Sequence, residues 1–268
     1  MRTIDKSISG KHTVLTAYES ISEFVADIKS RPNNKHMSGE NSSQTASHSF
    51  SGTSSYKEAE ELLANGWESG AKKINQMLLD RKVQEDFKQS KMVYSVMGQQ
   101  AIVPLHLMGV PTSMTYRKPV VTKHKIVTIT KDITFNAGTS SEEIIKHGLK
   151  AIQLIQALEA QGYRVKLNVM FASSGRSESL LASITLKQPN ERLNISKLAF
   201  CLGHTSMLRR FLFKWLEVTP TMTTTDFRGG YGRADGELYK QAFKSDNEYY
   251  IPPMSDSLES LVKTITKK

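Results

Sequence analysis

The sequence predicts an α/β fold: a mostly parallel sheet flanked by helices, preceded by an N-terminal helical portion. Three observations carry that expectation. Pro119 to Thr130 alternates, with Val121, Ile126, Val127 and Ile129 among Lys118, Lys123, His124 and Lys125, the β-branched pattern of a strand. A Gly/Ser turn then leads into a long stretch whose Ile144, Ile145, Gly148, Ile152, Ile155 and Leu158 fall on one helical face. Residues 163–171 alternate again, with Val165, Leu167, Val169 and Phe171 on one side and Arg164, Lys166 and Asn168 on the other. A helix of this length between two strands is the usual connection for parallel neighbours, and such crossovers are nearly always right-handed.

The helix has its own start and stop signals. Ser140 or Ser141 supplies the N-cap, and Glu142 and Glu143 place negative charge in the first turn, where the macrodipole favours it. Gly162 follows as the C-terminal stop. This strand–helix–strand unit is the centre of an α/β domain expected over residues 93–268.

Three segments precede it. Residues 1–30 form an N-terminal helical segment, in which Ile21, Phe24, Val25 and Ile28 have amphipathic spacing. Residues 31–53 read as a polar flexible linker, rich in Asn, Ser and Gly, with Phe50 as an isolated anchor near its end. Residues 54–92 form a helical region opened by a capping box, Ser55 with Glu58. Gly66 and Gly70 predict a break or close packing within it.

Within 93–268, Met92 to Met97 reads as a short strand. Residues 101–111 form an apolar loop with a helical turn, bracketed by Pro104 and Pro111. Leu180 to Lys187 is a third strand. Residues 194–200 and 206–218 are helical, the latter with a Met207, Leu208, Phe211, Leu212, Trp215 and Leu216 stripe. Residues 223–236 are loop, and a last helix is expected over 256–266.

Composition narrows the function. The chain has 268 residues, 38% hydrophobic and 23% charged, as ordinary globular proteins do. No run approaches the roughly 18 apolar residues of a membrane span. Met1 to Lys6 has no apolar core of a secretory signal, so a cytoplasmic location is expected. One cysteine, Cys201, forms no internal disulfide and no Cys-based zinc site. The net charge of +10 favours nucleic acid or an acidic protein as partner.

Candidate chemistry centres on Asp132. With Thr134 and Asn136 it places oxygen ligands in a loop after a strand, a setting that suits a hard cation such as Mg²⁺. This order of parts resembles a von Willebrand factor A-type domain, whose first strand ends in an Asp-x-Ser-x-Ser metal motif. Asp132-Ile133-Thr134-Phe135-Asn136 keeps the acid and two polar partners but neither serine. The resemblance implies a further acid from a later strand, for which Asp226 and Asp235 are the candidates. A turn held by Asp132 and Asn136 is the alternative. A second resemblance rests on residues 54–67, on Val103 to Pro111 and on Leu208-Arg209-Arg210-Phe211. These phrases are similar to an uncharacterised bacteriophage and prophage family, which implies a phage-related protein, in the host cytoplasm, and no particular reaction.

Other residues suggest anion binding. His204 and the Arg209–Arg210 pair sit at the start of the Trp-bearing helix, where a phosphate or acidic partner would be favoured. A capped helix with a solvated basic face is the competing reading. Cys201 beside His204 lacks a third group to orient a thiol nucleophile. Gly229-Gly230-Tyr231-Gly232, between Arg228 and Arg233, has the mix of aromatic and cation that contacts single-stranded nucleic acid, or is simply a Gly-rich connection. The full basic footprint is Lys118, Lys123, Lys125, Arg164, Lys166, Arg209, Arg210, Arg228 and Arg233. The function expected from these features is a non-enzymatic phage-type accessory protein that binds a macromolecule through a basic surface. The alternative is a metal-dependent nuclease or hydrolase built on the strand-end acids.

Overall fold

A computed structural model describes residues 1–8, 10–34, 41–79, 90–119, 125–221, 226, 227, 231, 233–235, 238, 248–254 and 265. The chain opens with a β-hairpin, β1 (Arg2–Ile8) and β2 (Lys11–Tyr18), followed by α1 (Ile21–Ser30). Two single turns, α2 (Ser42–Thr45) and α3 (His48–Ser51), lead to α4 (Tyr56–Asn65) and α5 (Glu68–Leu79). A small sheet comes next: β3 (Ser90–Ser95), β4 (Gln100–Ala101), the turn α6 (Val103–Leu107) and β5 (Met114–Pro119). The central unit is β6 (Ile126–Asp132), α7 (Ser141–Ala160) and β7 (Arg164–Ser174). Then come β8 (Glu178–Lys187), α8 (Ile195–Gly203), a π-helical segment (Met207–Leu212) that runs into α9 (Phe213–Val218), β9 (Arg233–Ala234) and β10 (Glu248–Ile251).

The α/β class holds, but the sheet is mixed. Its strands run β1-β2-β8-β7-β6-β10, with β9 against the end of β7. β6 pairs in parallel with both β7 and β10, and β2 pairs in parallel with β8, whereas β1–β2 and β7–β8 are antiparallel. The polar turn after β7 reverses the chain at once, so β8 returns beside β7 without a crossover helix. The expectation of a helical segment over residues 1–30 holds for the amphipathic stretch that forms α1 and is corrected for residues 2–18, which form strands. Thr13, Val14 and Thr16 suit a strand, and Gly10, at φ +77°, turns β1 into β2.

Period-two alternation sets the two faces of the sheet. Val14, Val169, Phe171, Leu180 and Ala182 join the large core beneath the helices. Their neighbours Leu15, Met170, Ala172 and Leu181 form a smaller cluster on the other face. On the helical side, α7 and α8 approach so closely that a Cβ on Gly148 would lie 2.3 Å from the Leu202 carbonyl oxygen. Of the two candidate caps it is Ser140 that caps α7, in a capping box with Glu143. Trp215 is buried, and its Nε1 donates to the Tyr18 hydroxyl, which donates to Asp27, tying α9 and α1 to β2.

Residues 41–53 are not the expected loose linker. Ser43, Ser51 and Thr53 are fully buried. This polar segment stays inside because its carbonyls meet two buried arginines, described next. Among the described residues no helix is long and apolar enough to cross a membrane.

Candidate functional site

Asp132 ends β6, where an open α/β sheet usually holds its ligand. Here that position is closed. Asp132 has no exposed surface; one carboxylate oxygen accepts from the Thr134 backbone N–H at 2.7 Å, the other from the Tyr250 hydroxyl at 2.7 Å. Burial raises its pKa, against the opposing pull of the Thr134 and Tyr250 bonds and of Lys131. Lys131 beside it is also buried. Its Nζ donates to the carbonyls of Asp132, Pro252 and Pro253 at 2.7–2.8 Å, stapling the chain after β10 to β6. Burial pulls the Lys131 ammonium down to about 7.

The other nominated ligands lie elsewhere. The Thr134 hydroxyl oxygen accepts from the Ala172 N–H at 3.0 Å. Asn136 is exposed and its carbonyl closes a turn with Thr139. Asp226 accepts from the Ser177 N–H and hydroxyl and from the Glu178 N–H, bracing the β7–β8 turn. Asp235 accepts from the Leu238 N–H. Among the described residues no three acidic, His or Cys side chains converge as a metal site would require.

The basic footprint also divides. Arg209 and Arg210 are buried rather than presented on a helix surface. All five Arg210 donors are used: Nε to Thr53 Oγ1, Nη1 to the Ser43 and Gln44 carbonyls, and Nη2 to the Ala46 and Thr53 carbonyls, at 2.9–3.3 Å. Arg209 donates to the carbonyls of Phe50, Ala137 and Thr139, with its guanidinium 4.1 Å from the Phe50 ring centre. Burial lowers both pKa values, yet a guanidinium stays charged. Glu217 holds the same segment from within: it accepts from the Ser43 N–H and hydroxyl and from the Tyr231 hydroxyl. Gly52, at φ +80°, lies against Thr205, whose hydroxyl donates to the Ser51 carbonyl. This network holds residues 41–53 in place.

His204 belongs to an aromatic cluster. It stacks on Phe200 at 5.1 Å and meets Trp67 edge-on at 4.8 Å, while its Nδ1 accepts from the Ser206 N–H. Burial pulls its pKa down to about 4, so it is neutral at pH 7 and attracts no anion. The Cys201 thiol is buried and pushed up to about 12. Lys125 and Arg164 are exposed and adjacent at the N-terminal ends of β6 and β7, and Lys166 lies two residues along the same strand. Arg233 is exposed at the opposite end of β7. Lys123, Arg228 and the Lys118 side chain lie outside the described residues.

One surface went unread in the sequence. In the small sheet, of order β3-β5-β4, the buried positions of β5 and its approach are polar, Ser113 and Thr115. Several large apolar side chains point outward. Met92, Tyr94 and Val96, spaced two apart along and just after β3, are all more than half exposed, and Met97 is 82% exposed. Leu107 and Met108, at the end of α6, are 80% and 76% exposed. A recess of about 530 Å³ opens among Val96, Met97, His106, Pro111 and Met114. Exposed apolar clusters of this kind mark interaction sites, and methionines adapt to varied partners. Charge is one-sided too. No Asp or Glu lies between Asp86 and Asp132. That acid-free run was the sequence signal for this surface.

A family model described as a domain of unknown function, DUF7192, matches residues 4–268, and the chain belongs to that family. No curated protein and no solved structure matches it.

Proposed function

We propose that this member of the family is a non-enzymatic, phage-type accessory protein that binds a macromolecular partner through its small sheet. The observation that carries the reading is the inverted sheet: polar residues inside, and Met92, Tyr94, Val96, Met97, Leu107 and Met108 outside. In water such a surface loses free energy that contact with a partner recovers, at roughly 25 cal/mol per Å² of apolar area covered. The partner is a protein rather than nucleic acid, because Tyr94 is the one ring among these exposed side chains and the Met, Val and Leu around it neither stack on bases nor hydrogen-bond to them. It is acidic, because Lys91, Arg117 and Lys118 have no acids near them in sequence. The β6–α7–β7 unit is the von Willebrand A-like part of the chain in this reading, serving as a scaffold for the small sheet.

The test uses the full chain with Tyr94→Lys and Met97→Lys together. The protein that co-purifies with the wild type from the host cell is expected to be lost, with the melting temperature unchanged. Retention of that partner by the double variant overturns the reading. Co-purifying nucleic acid, released steeply by salt, would instead assign binding to Lys125, Arg164 and Lys166.

A further inference from the structure

Helices α1 and α4 each place an alanine, Ala26 and Ala64, along the same recess. Larger side chains there would fill it. The space left between α1, α4 and α8 is about 470 Å³, within the range of small-molecule sites. Its floor is core: Leu198, Cys201 and Phe211 are buried beneath it. Ile21, Val25 and Leu63 supply apolar walls that pack on the core yet stay partly in contact with water.

Charges on the rim are unequal. Lys29 and Glu60 pair at 2.8 Å and neutralise each other. Lys197 is exposed, and its ammonium makes no hydrogen bond or ion pair with the described residues. It also stands in the first turn of α8, where the Asn194 side chain takes its backbone N–H and the macrodipole disfavours a positive side chain. An anion beside Lys197 would relieve both conditions.

We propose that this recess binds an amphipathic monocarboxylate, an unbranched acyl chain lying over Ala26 and Ala64 with its carboxylate against Lys197. The apolar walls recognise the chain, and the single unbalanced cation selects a single negative head. The site is independent of the small sheet.

Dodecanoate, titrated below its micellar range into the full chain and followed by calorimetry, tests this. Saturable one-to-one binding is expected, with dodecyltrimethylammonium at least about tenfold weaker, a difference of roughly 1.4 kcal/mol. Lys197→Glu is expected to weaken dodecanoate about tenfold and to leave the melting temperature unchanged. Ala64→Trp should abolish binding of both amphiphiles. A second readout comes from Cys201, the only cysteine in the chain: dodecanoate should slow its reaction with a thiol reagent in the wild type. Tyr94→Lys with Met97→Lys should bind dodecanoate as the wild type does. Equal affinity for the two head groups, or absence of both heat and thiol protection up to the micellar range, overturns the proposal. Unchanged binding by Lys197→Glu does the same.

Discussion

Around Arg210 the chain buries a guanidinium, the Glu217 carboxylate and the hydroxyls of Ser43 and Thr53, while over residues 90–119 it exposes methionines, a tyrosine and a leucine. Both regions depart from the usual division of polar and apolar surface. They differ in whether the departure is compensated. Each Arg210 donor has an acceptor, and Glu217 has Ser43 and Tyr231. Among the described residues, nothing in the small sheet covers Met97 or Leu107. Compensated inversion makes structure, and uncompensated inversion leaves a surface for something else to complete.

The largest effect that separates the two regions is expected at the buried arginine. Arg210→Met should cost roughly 3–5 kcal/mol in denaturant unfolding, because the Thr53 hydroxyl and four carbonyls in the interior lose their donors. Arg210→Lys should recover less than half of that, since an ammonium has three donors and lacks the planar fork. A loss below about 1 kcal/mol for Arg210→Met would show that residues 41–53 are held some other way.

A smaller loss is expected at the strand end. Asp132→Ala should cost about 2 kcal/mol by removing the acceptor that the Thr134 N–H and the Tyr250 hydroxyl share. Mg²⁺ should leave the melting temperatures of both wild type and variant where they were. A Mg²⁺-dependent rise in the wild type that the variant lacks would reinstate a metal role for Asp132.

His204 gives a pH effect of known sign. Its folded pKa, about 4, is below the ordinary 6.5. Between those values the unfolded chain takes up a proton that the folded one does not, so stability falls as pH drops from 6.5 towards 4 and the loss then levels off. The expected size is on the order of 2 kcal/mol. His204→Phe keeps an aromatic ring against Phe200 and Trp67, and should flatten that part of the pH profile of unfolding.

The smallest change in stability belongs to the exposed region. Tyr94→Lys and Met97→Lys should each alter unfolding free energy by less than about 0.5 kcal/mol. A large loss would mean that the small sheet is held by packing of its own.

Much of the scaffold was legible. The β6–α7–β7 unit announced itself through alternation, a capping serine and a stop glycine, because these signals are local. Gly66 marked the break between α4 and α5 for the same reason. Phe50 was singled out as an anchor, and its ring does lie over Arg209. What stayed hidden depended on distant partners. Ser43 and Thr53 read as linker because nothing near them in sequence shows that Arg210, far along the chain, supplies their donors. For the same reason Arg209 and Arg210 read as a solvated or ligand-binding pair. Strand β2 was missed because its place in the sheet is set by β8, which comes much later. Asp132 carried the right residue type at the right strand end, but Tyr250, which closes the position, lies 118 residues away. The outward face of β3 had a local signal, an acid-free run with several methionines, that is easily taken for an ordinary strand and loop.

The most direct test of the contrast between the two regions is photo-crosslinking in living cells. A benzophenone amino acid would replace Tyr94 in one version of the full chain and exposed Lys125 in another. The account predicts a discrete cross-linked product from position 94, to a protein with an acidic and apolar segment, and none of that product from position 125. Equal labelling from both positions, or no product from position 94, would contradict it.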